Sequence, residues 1–268
     1  MERPGFNEDT YQAVLRYHQA WKSRKLDAIL ALYHPDIAYH DHLQNRVFRH
    51  DGLRDYVQAS LPASPGDRLE HCDRIRVDGD TAFIQYQLSL DDGRVLFHSS
   101  EAIRVKDGLV WRIDEYATLQ RAATAAGGTA GRSPLQRLGL SARQLGRLAA
   151  ELHNYFQQQR PYLDPACTLQ TVAAATGYSR NQLSYLLNQV LGSSFYQYVN
   201  AARVRHLLAE LPRQPLPLRV DELAFAAGFN SLSSFYRAFR DETGMTPSAY
   251  LRQIPCVPAG TTTPPADG

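Results

Sequence analysis

A ten-residue pattern occurs twice in this chain. Leu169-Gln-Thr-Val-Ala-Ala-Ala-Thr-Gly-Tyr178 and Val220-Asp-Glu-Leu-Ala-Phe-Ala-Ala-Gly-Phe229 lie 51 residues apart, each with apolar residues at positions one and four, alanine at five, then glycine and an aromatic. A short helix needs a small side chain where a second helix crosses it closely, and glycine permits the sharp turn between the two. The residues that follow repeat a helical stripe: Leu183, Leu186 and Leu187 within Ser179 to Leu191, and Phe235, Ala238 and Phe239 within Ser231 to Thr243. Two helix-turn-helix units are therefore predicted, with a long helix over Phe195 to Leu211 between them. Beyond Ser141 the chain reads as all-α, broken only near Arg160-Pro161 and over Pro212 to Pro217.

The first half has a different pattern. Val14, Tyr17 and Trp21 share one helical face of Tyr11 to Trp21, and Ile29, Leu30 and Tyr33 continue helical spacing over Leu26 to Tyr33. After Pro35 the reading is extended: Ile37 to His42, Leu69 to Val77, Thr81 to Leu90, Val95 to Lys106 and Leu109 to Ala117, with turns at Asp78-Gly79, Asp92-Gly93 and Asp107-Gly108. Helices followed by an antiparallel meander predict an α+β domain, a curved sheet folded over helices. Residues 121–134, small and glycine-bearing, read as a linker, and the proline-rich residues 255–268 as a disordered tail. The expected organisation is 1–120, a linker 121–134, 135–254 and a tail 255–268.

Composition narrows the function classes. Of 268 residues, 44% are hydrophobic, which excludes disorder throughout. No window is apolar enough for a membrane span, and the opening residues lack the apolar core of a secretion signal, so a cytoplasmic protein without membrane contact is expected. Cys72, Cys167 and Cys256 lie too far apart for a zinc site or a disulfide framework and read as reduced thiols. The net charge of +2 hides an asymmetry: residues 1–120 carry 15 basic and 19 acidic side chains, residues 135–254 carry 12 and 7. Every base in the second half is arginine, which is suited to forked contacts with phosphate and guanine.

Gly228-Phe-Asn-Ser-Leu-Ser-Ser-Phe-Tyr-Arg-Ala-Phe-Arg-Asp-Glu-Thr-Gly244-Met-Thr-Pro247-Ser-Ala-Tyr250 resembles the C-terminal signature of AraC family DNA-binding domains, and the likeness extends over roughly residues 141–252. The resemblance implies that two recognition helices enter successive major grooves of double-stranded promoter or operator DNA. The exposed candidates are Arg180, Asn181, Ser184, Tyr185 and Asn188 in the first unit, and Ser231, Ser233, Tyr236, Arg237 and Arg240 in the second. Arg237 stands where many members place a base-reading arginine. Leu251 departs from the family's usual arginine, with Arg252 beside it, and Ser184 and Tyr185 replace a longer polar residue and an arginine.

Ala13-Val-Leu-Arg-Tyr17-His-Gln-Ala-Trp21-Lys-Ser-Arg-Lys-Leu-Asp27-Ala-Ile-Leu-Ala-Leu-Tyr-His-Pro-Asp36-Ile-Ala-Tyr-His-Asp41 resembles the opening of SnoaL-like proteins within the nuclear-transport-factor-two-like superfamily. That implies a cone-shaped α+β fold with a pocket between helices and sheet over residues 10–118. Tyr17 and Asp41 fall where ketosteroid isomerases of this superfamily place an oxyanion-hole tyrosine and a general base, and Glu101 falls near their second acid. A shared fold is weak evidence for shared chemistry. The expected role is binding of an unknown small-molecule effector, and no enzymatic activity or cofactor is expected. An isomerase or cyclase fused to a DNA reader, or an N-terminal domain used only for dimerisation, are the alternatives. The candidate ligand residues are Tyr17, Trp21, Tyr39, Asp41, Tyr86, His98, Glu101 and Trp111. His40 and His42 alone share a strand face, so no metal site is expected. The free face of the sheet predicts a homodimer through residues 1–120.

Overall fold

The computed structural model describes residues 6–61, 68–89, 95–119, 138–213 and 219–253. The chain forms two compact units, one of Met1–Gln158 with Ala173–Ser193, the other of Gln159–Val172 with Ser194–Gly268. The linker over 121–134, the tail over 255–268 and the turn at Asp92-Gly93 lie outside the described residues.

The first unit opens with α1 (Phe6–Ser23), whose buried stripe includes Ala13, Val14, Tyr17 and Trp21, the i, i+3, i+4 spacing of one helix face. Then come α2 (Leu26–Leu30), β1 (Tyr33–Asp41), β2 (Arg46–Phe48), α3 (His50–Ser60), β3 (Arg68–His71), β4 (Arg76–Asp78), β5 (Thr81–Ser89), β6 (Val95–Lys106) and β7 (Leu109–Leu119). The sheet runs β2-β1-β7-β6-β5-β3, with β4 also pairing β5. β5, β6 and β7 form the expected antiparallel meander, and β6 occupies the expected residues. Asp107 and Gly108, at φ 53° and 76°, close the β6–β7 hairpin with both residues left-handed, as the right-handed strand twist demands of a two-residue turn.

Several elements differ from the sequence reading. Tyr33 starts a strand rather than ending a helix, and β1 runs parallel to β7, so the sheet is mixed. The stretch Leu69 to Val77 is two strands, interrupted where the Asp73 carboxylate accepts from the Arg74 amide at 2.7 Å. α3 and β2 were not anticipated; α3 buries Leu53, Tyr56, Val57 and Ser60.

Helix α4 (Ala142–Gln159) belongs to the same unit as the sheet. At Gly146 it lies so near β5 that an added Cβ would run into the Leu88 side chain.

The repeat produces matching geometry twice. α5 (Leu169–Thr176) ends at Gly177, φ 76°, and α8 (Val220–Ala226) is followed by Gly228, φ 89°, both in the left-handed region that favours glycine. Ala173 and Ala224 are buried. Gly228 has a second constraint, since a Cβ there would meet the Tyr162 and Leu163 carbonyl oxygens at 2.7 and 2.8 Å. The following helices are α6 (Arg180–Tyr185), continued by a π-turn over Leu186–Val190, and α9 (Leu232–Thr243). α7 (Phe195–Glu210) lies between the copies and α10 (Pro247–Leu251) follows the second. In the second unit Val204, Leu207, Leu223, Phe229, Phe235 and Phe239 form one apolar core.

Candidate functional site

Strand alternation decides which side chains enter the cone. Along β6, Phe97, Ser99, Glu101 and Ile103 are buried, whereas His98 and Ser100 face out. His98 therefore leaves the pocket set. Trp111 leaves it for another reason: Val105 pairs with Val110 and Arg104 with Arg112, so Trp111 is the extra residue of a β-bulge and is only half-buried. The other six, Tyr17, Trp21, Tyr39, Asp41, Tyr86 and Glu101, are all buried.

Those residues meet around a carboxylate that the sequence reading missed, Glu115. Its Oε1 accepts from Tyr86 Oη at 2.8 Å and Ser99 Oγ at 3.2 Å, and its Oε2 from Tyr39 Oη at 2.7 Å and Tyr56 Oη at 3.3 Å. Tyr86 Oη also lies 2.8 Å from Glu101 Oε1. Asp41, also buried, accepts from the Gln44 amide at 2.8 Å and faces Tyr56 Oη at 3.4 Å. Tyr17 Oη lies 3.3 Å from Tyr33 Oη, with its ring 6.3 Å from Trp21.

The cation that neutralises this cluster comes from far along the chain. Arg143, the second residue of α4, is 5% exposed; its guanidinium hydrogen-bonds Glu101 and Tyr86, stands 3.5 Å from Glu115 and lies 4.1 Å from the centre of the Trp21 ring. Two buried carboxylates thus share one guanidinium. Burial pushes the Glu101 carboxyl up to about 7, with the Glu115 charge adding to the rise and Arg143 opposing it. Burial, aided by the Glu115 charge, raises Asp41 to about 6. The space remaining between Trp21, Ser60, Leu69, Leu88, Phe97, Arg143 and Arg147 is about 10 Å³, enough for one water.

Glu115 was legible in principle, two residues after the apolar Ile113 on one strand face. Arg143 was not, because it falls in the stretch that the AraC likeness claims. His40 and His42 share the outer face, within 3.9 and 3.2 Å of Asp114 Oδ1.

The two recognition helices start with satisfied caps. Ser179 Oγ accepts from the Gln182 amide at 3.2 Å while Gln182 Oε1 accepts from the Ser179 amide at 2.9 Å, a capping box. Ser231 caps α9 by accepting from the Ser234 amide at 3.3 Å. Arg180, Asn181 and Asn188 are exposed, and Ser184 is half-buried, its carbonyl and hydroxyl accepting from Asn188 Nδ2 at 2.9 and 3.1 Å. Ser233, Arg237 and Arg240 are exposed, Ser231 is half-buried, and Tyr236 packs against the core. Tyr185, expected on the exposed face, is buried at 8%. The i→i+5 bond from the Leu191 amide to the Leu186 carbonyl widens the turn that follows Tyr185, and Tyr185, Leu186, Leu187 and Val190 are all inside.

Residues 14–113 match the family model of a SnoaL-like domain, and residues 172–253 that of a helix-turn-helix domain. The chain carries a SnoaL-like domain followed by a helix-turn-helix domain of the AraC type. Over the helix-turn-helix part it is similar to an uncharacterised HTH-type transcriptional regulator, YijO, of Escherichia coli, 36% identical over 37% of this chain and 35% of that protein. It is likewise similar to the right origin-binding protein of Escherichia coli, 31% identical over 34% of this chain and 31% of the relative. The melibiose operon regulatory protein of the same organism is 31% identical over 33% and 29%. The chain thus spans about a third of the length of these relatives. For the SnoaL-like domain, a similar solved structure is an NTF2-like protein of unknown function from Mesorhizobium loti, 18% identical over 42% of this chain and 93% of that one, TM-score 0.37. Another is an NTF2-like protein from Cytophaga hutchinsonii, 11% identical over 41% and 89%, TM-score 0.34. Among the described residues, no helix is long and apolar enough to cross a membrane.

Proposed function

We propose that this chain is a cytoplasmic transcription regulator that binds double-stranded promoter or operator DNA, with its SnoaL-like domain sensing a small molecule. The observation that carries the DNA-binding reading is the outer face of α9. Ser233, Arg237 and Arg240 follow i, i+4, i+7 spacing and are exposed, while Phe235, Ala238 and Phe239 anchor the opposite face. A rigidly backed helix start with arginines pointing outward suits the major groove, where Arg237 would read guanine and Arg240 would hold phosphate. Arg180, Asn181 and Asn188 give the first unit a similar polar face, with Ser231 and Ser184 serving helix geometry instead. The names of the relatives, an origin-binding protein and an operon regulator, agree with this reading.

Regulation rather than turnover is supported by the interior of the cone, where the space that the described residues leave beside Arg143 is about 10 Å³. Dimerisation through the SnoaL-like domain is supported by the sheet's outer face, where Val47, Phe83 and Tyr116 are exposed; a second copy of the chain would cover them. Selection from a pool of random duplexes by the full-length chain tests the central part. Enrichment of one motif supports it, and an unenriched pool after several rounds contradicts it.

A further inference from the structure

Arg143 behaves as a ligand that the chain supplies to itself. Its guanidinium is buried, and its neighbours are those a bound organic cation would have: the Glu101 and Glu115 carboxylates, the Tyr86 hydroxyl, and the Trp21 face at 4.1 Å. The match is incomplete. Glu101 Oε2 and Arg143 Nη1 are buried without a hydrogen-bond partner among the described residues, so the Glu101 oxygen lacks a bond that a differently shaped cation could donate to it. Among the described residues, the free space beside Arg143 is about 10 Å³, too little for an organic ligand while the arginine stays. Occupancy by Arg143 and by an effector is mutually exclusive.

That exclusion fixes the chemical class of the effector. A neutral or anionic molecule that displaced Arg143 would leave the Glu101 and Glu115 carboxyl groups buried side by side with no counter-charge, which is strongly unfavourable. A cation restores the balance. We infer that the pocket selects small organic cations, amines or guanidines with an apolar or aryl body, which replace the Arg143 guanidinium between Glu101 and Glu115. The apolar body would lie along Trp21, Leu88 and Phe97, beside which the Arg143 guanidinium and the Gly146 turn of α4 now sit.

Within the same unit, the helix that carries Arg143 also reaches the first recognition helix. One turn beyond Arg143, Arg147 donates to the Gln58 carbonyl at the end of α3 at 2.8 Å and to Glu151 Oε1 at 2.7 Å. Tyr178 Oη donates to Glu151 Oε2 at 2.6 Å, and Tyr178 immediately precedes Ser179, the N-cap of α6. Expelling Arg143 would unseat α4 and remove the support that Glu151 gives the start of that helix. This route to DNA rests on the sensing role proposed above; the cation selectivity does not.

The test uses the full-length chain with benzylguanidinium as probe, benzylurea as its neutral isostere and phenylacetate as an anion. Binding is read by titration calorimetry, and DNA affinity by anisotropy on a selected duplex. Arg143→Ala removes the internal competitor, so benzylguanidinium should bind it at least tenfold more tightly than it binds the wild type and raise its Tm, while benzylurea and phenylacetate do neither. Glu101→Gln combined with Glu115→Gln should abolish the gain. Should Arg143→Ala not fold, Arg143→Met keeps the stem and carries the same comparison. Equal binding of benzylguanidinium and benzylurea to the arginine-free variant, or no tightening over the wild type, overturns the inference. A neutral or anionic compound that shifts wild-type DNA affinity while benzylguanidinium does not bind leaves sensing intact and overturns the cation selectivity. Selective cation binding with unchanged DNA affinity supports the selectivity and overturns the sensing role instead.

Discussion

Replacing Arg143 with methionine keeps an unbranched apolar side chain in its place and removes the guanidinium that lies over Trp21, which makes the electrostatics of the pocket measurable. Removing one partner of a buried ion pair strands the other, at about 3–5 kcal/mol, and the Glu101 carboxyl is fully buried. The cost depends on pH, and its sign follows from protons bound. In the wild type Glu101 titrates at about 7 in the fold against an ordinary 4.5, so the native state holds the extra proton and stability falls as pH rises through that window, then levels. Arg143 opposes the effect of burial, so its removal lifts the folded value further and stability keeps falling above pH 7. Wild type and variant should therefore be closest near about pH 5 and diverge above pH 7 by about 1.4 kcal/mol per pH unit, towards the 3–5 kcal/mol ceiling. Urea unfolding followed by tryptophan fluorescence suits the purpose, because both tryptophans, Trp21 and Trp111, lie in the SnoaL-like domain. A loss that is the same at all pH values, or below about 1 kcal/mol above pH 8, would refute the buried-pair reasoning.

Gly228→Ala should destabilise the second unit by several kcal/mol, roughly 2–4, because left-handed backbone strain adds to a clash with two fixed carbonyls; circular dichroism melting checks it, and an unchanged Tm would contradict the packing described. Tyr17→Phe and Asp41→Asn should leave the fold and basal DNA affinity intact while weakening the response to an effector, read by anisotropy with and without it; wild-type responses in both would remove these residues from the pocket's function. Phe83→Asp should convert dimers to monomers at micromolar concentration in sedimentation equilibrium, and a wild-type chain that is already monomeric would exclude the proposed pairing.

The sequence revealed most where a local rule applied. The two glycines of the repeat had to be left-handed, and they are; the stripe Val14, Tyr17, Trp21 had to be buried, and it is. Failures came from features that spacing alone does not encode. Trp111 has the parity of Ile113, but a bulge between them and the preceding strand position inverts it. His98 and Glu101 cannot both line the pocket, because three positions along a strand put them on opposite faces. Tyr185 occupies the position that corresponds to Arg237, and the π-turn beginning one residue later accompanies its burial. The parallel pairing of β1 with β7, and the insertion of Arg143 beside Glu101, join residues 42 or more positions apart, and no periodicity within either segment announces its partner.

The central claim is that the arginine face of α9 reads DNA. It is tested most directly by anisotropy of the full-length chain on its selected duplex and on unrelated DNA, across a range of salt, for wild type and Arg237→Ala. The account predicts a log–log salt slope of about −0.9 for each phosphate neutralised. It also predicts that Arg237→Ala costs roughly 1–3 kcal/mol on the selected duplex, with preference relaxed at one base pair and little change on unrelated DNA. Binding that is independent of salt, or an equal loss on both duplexes, would contradict it.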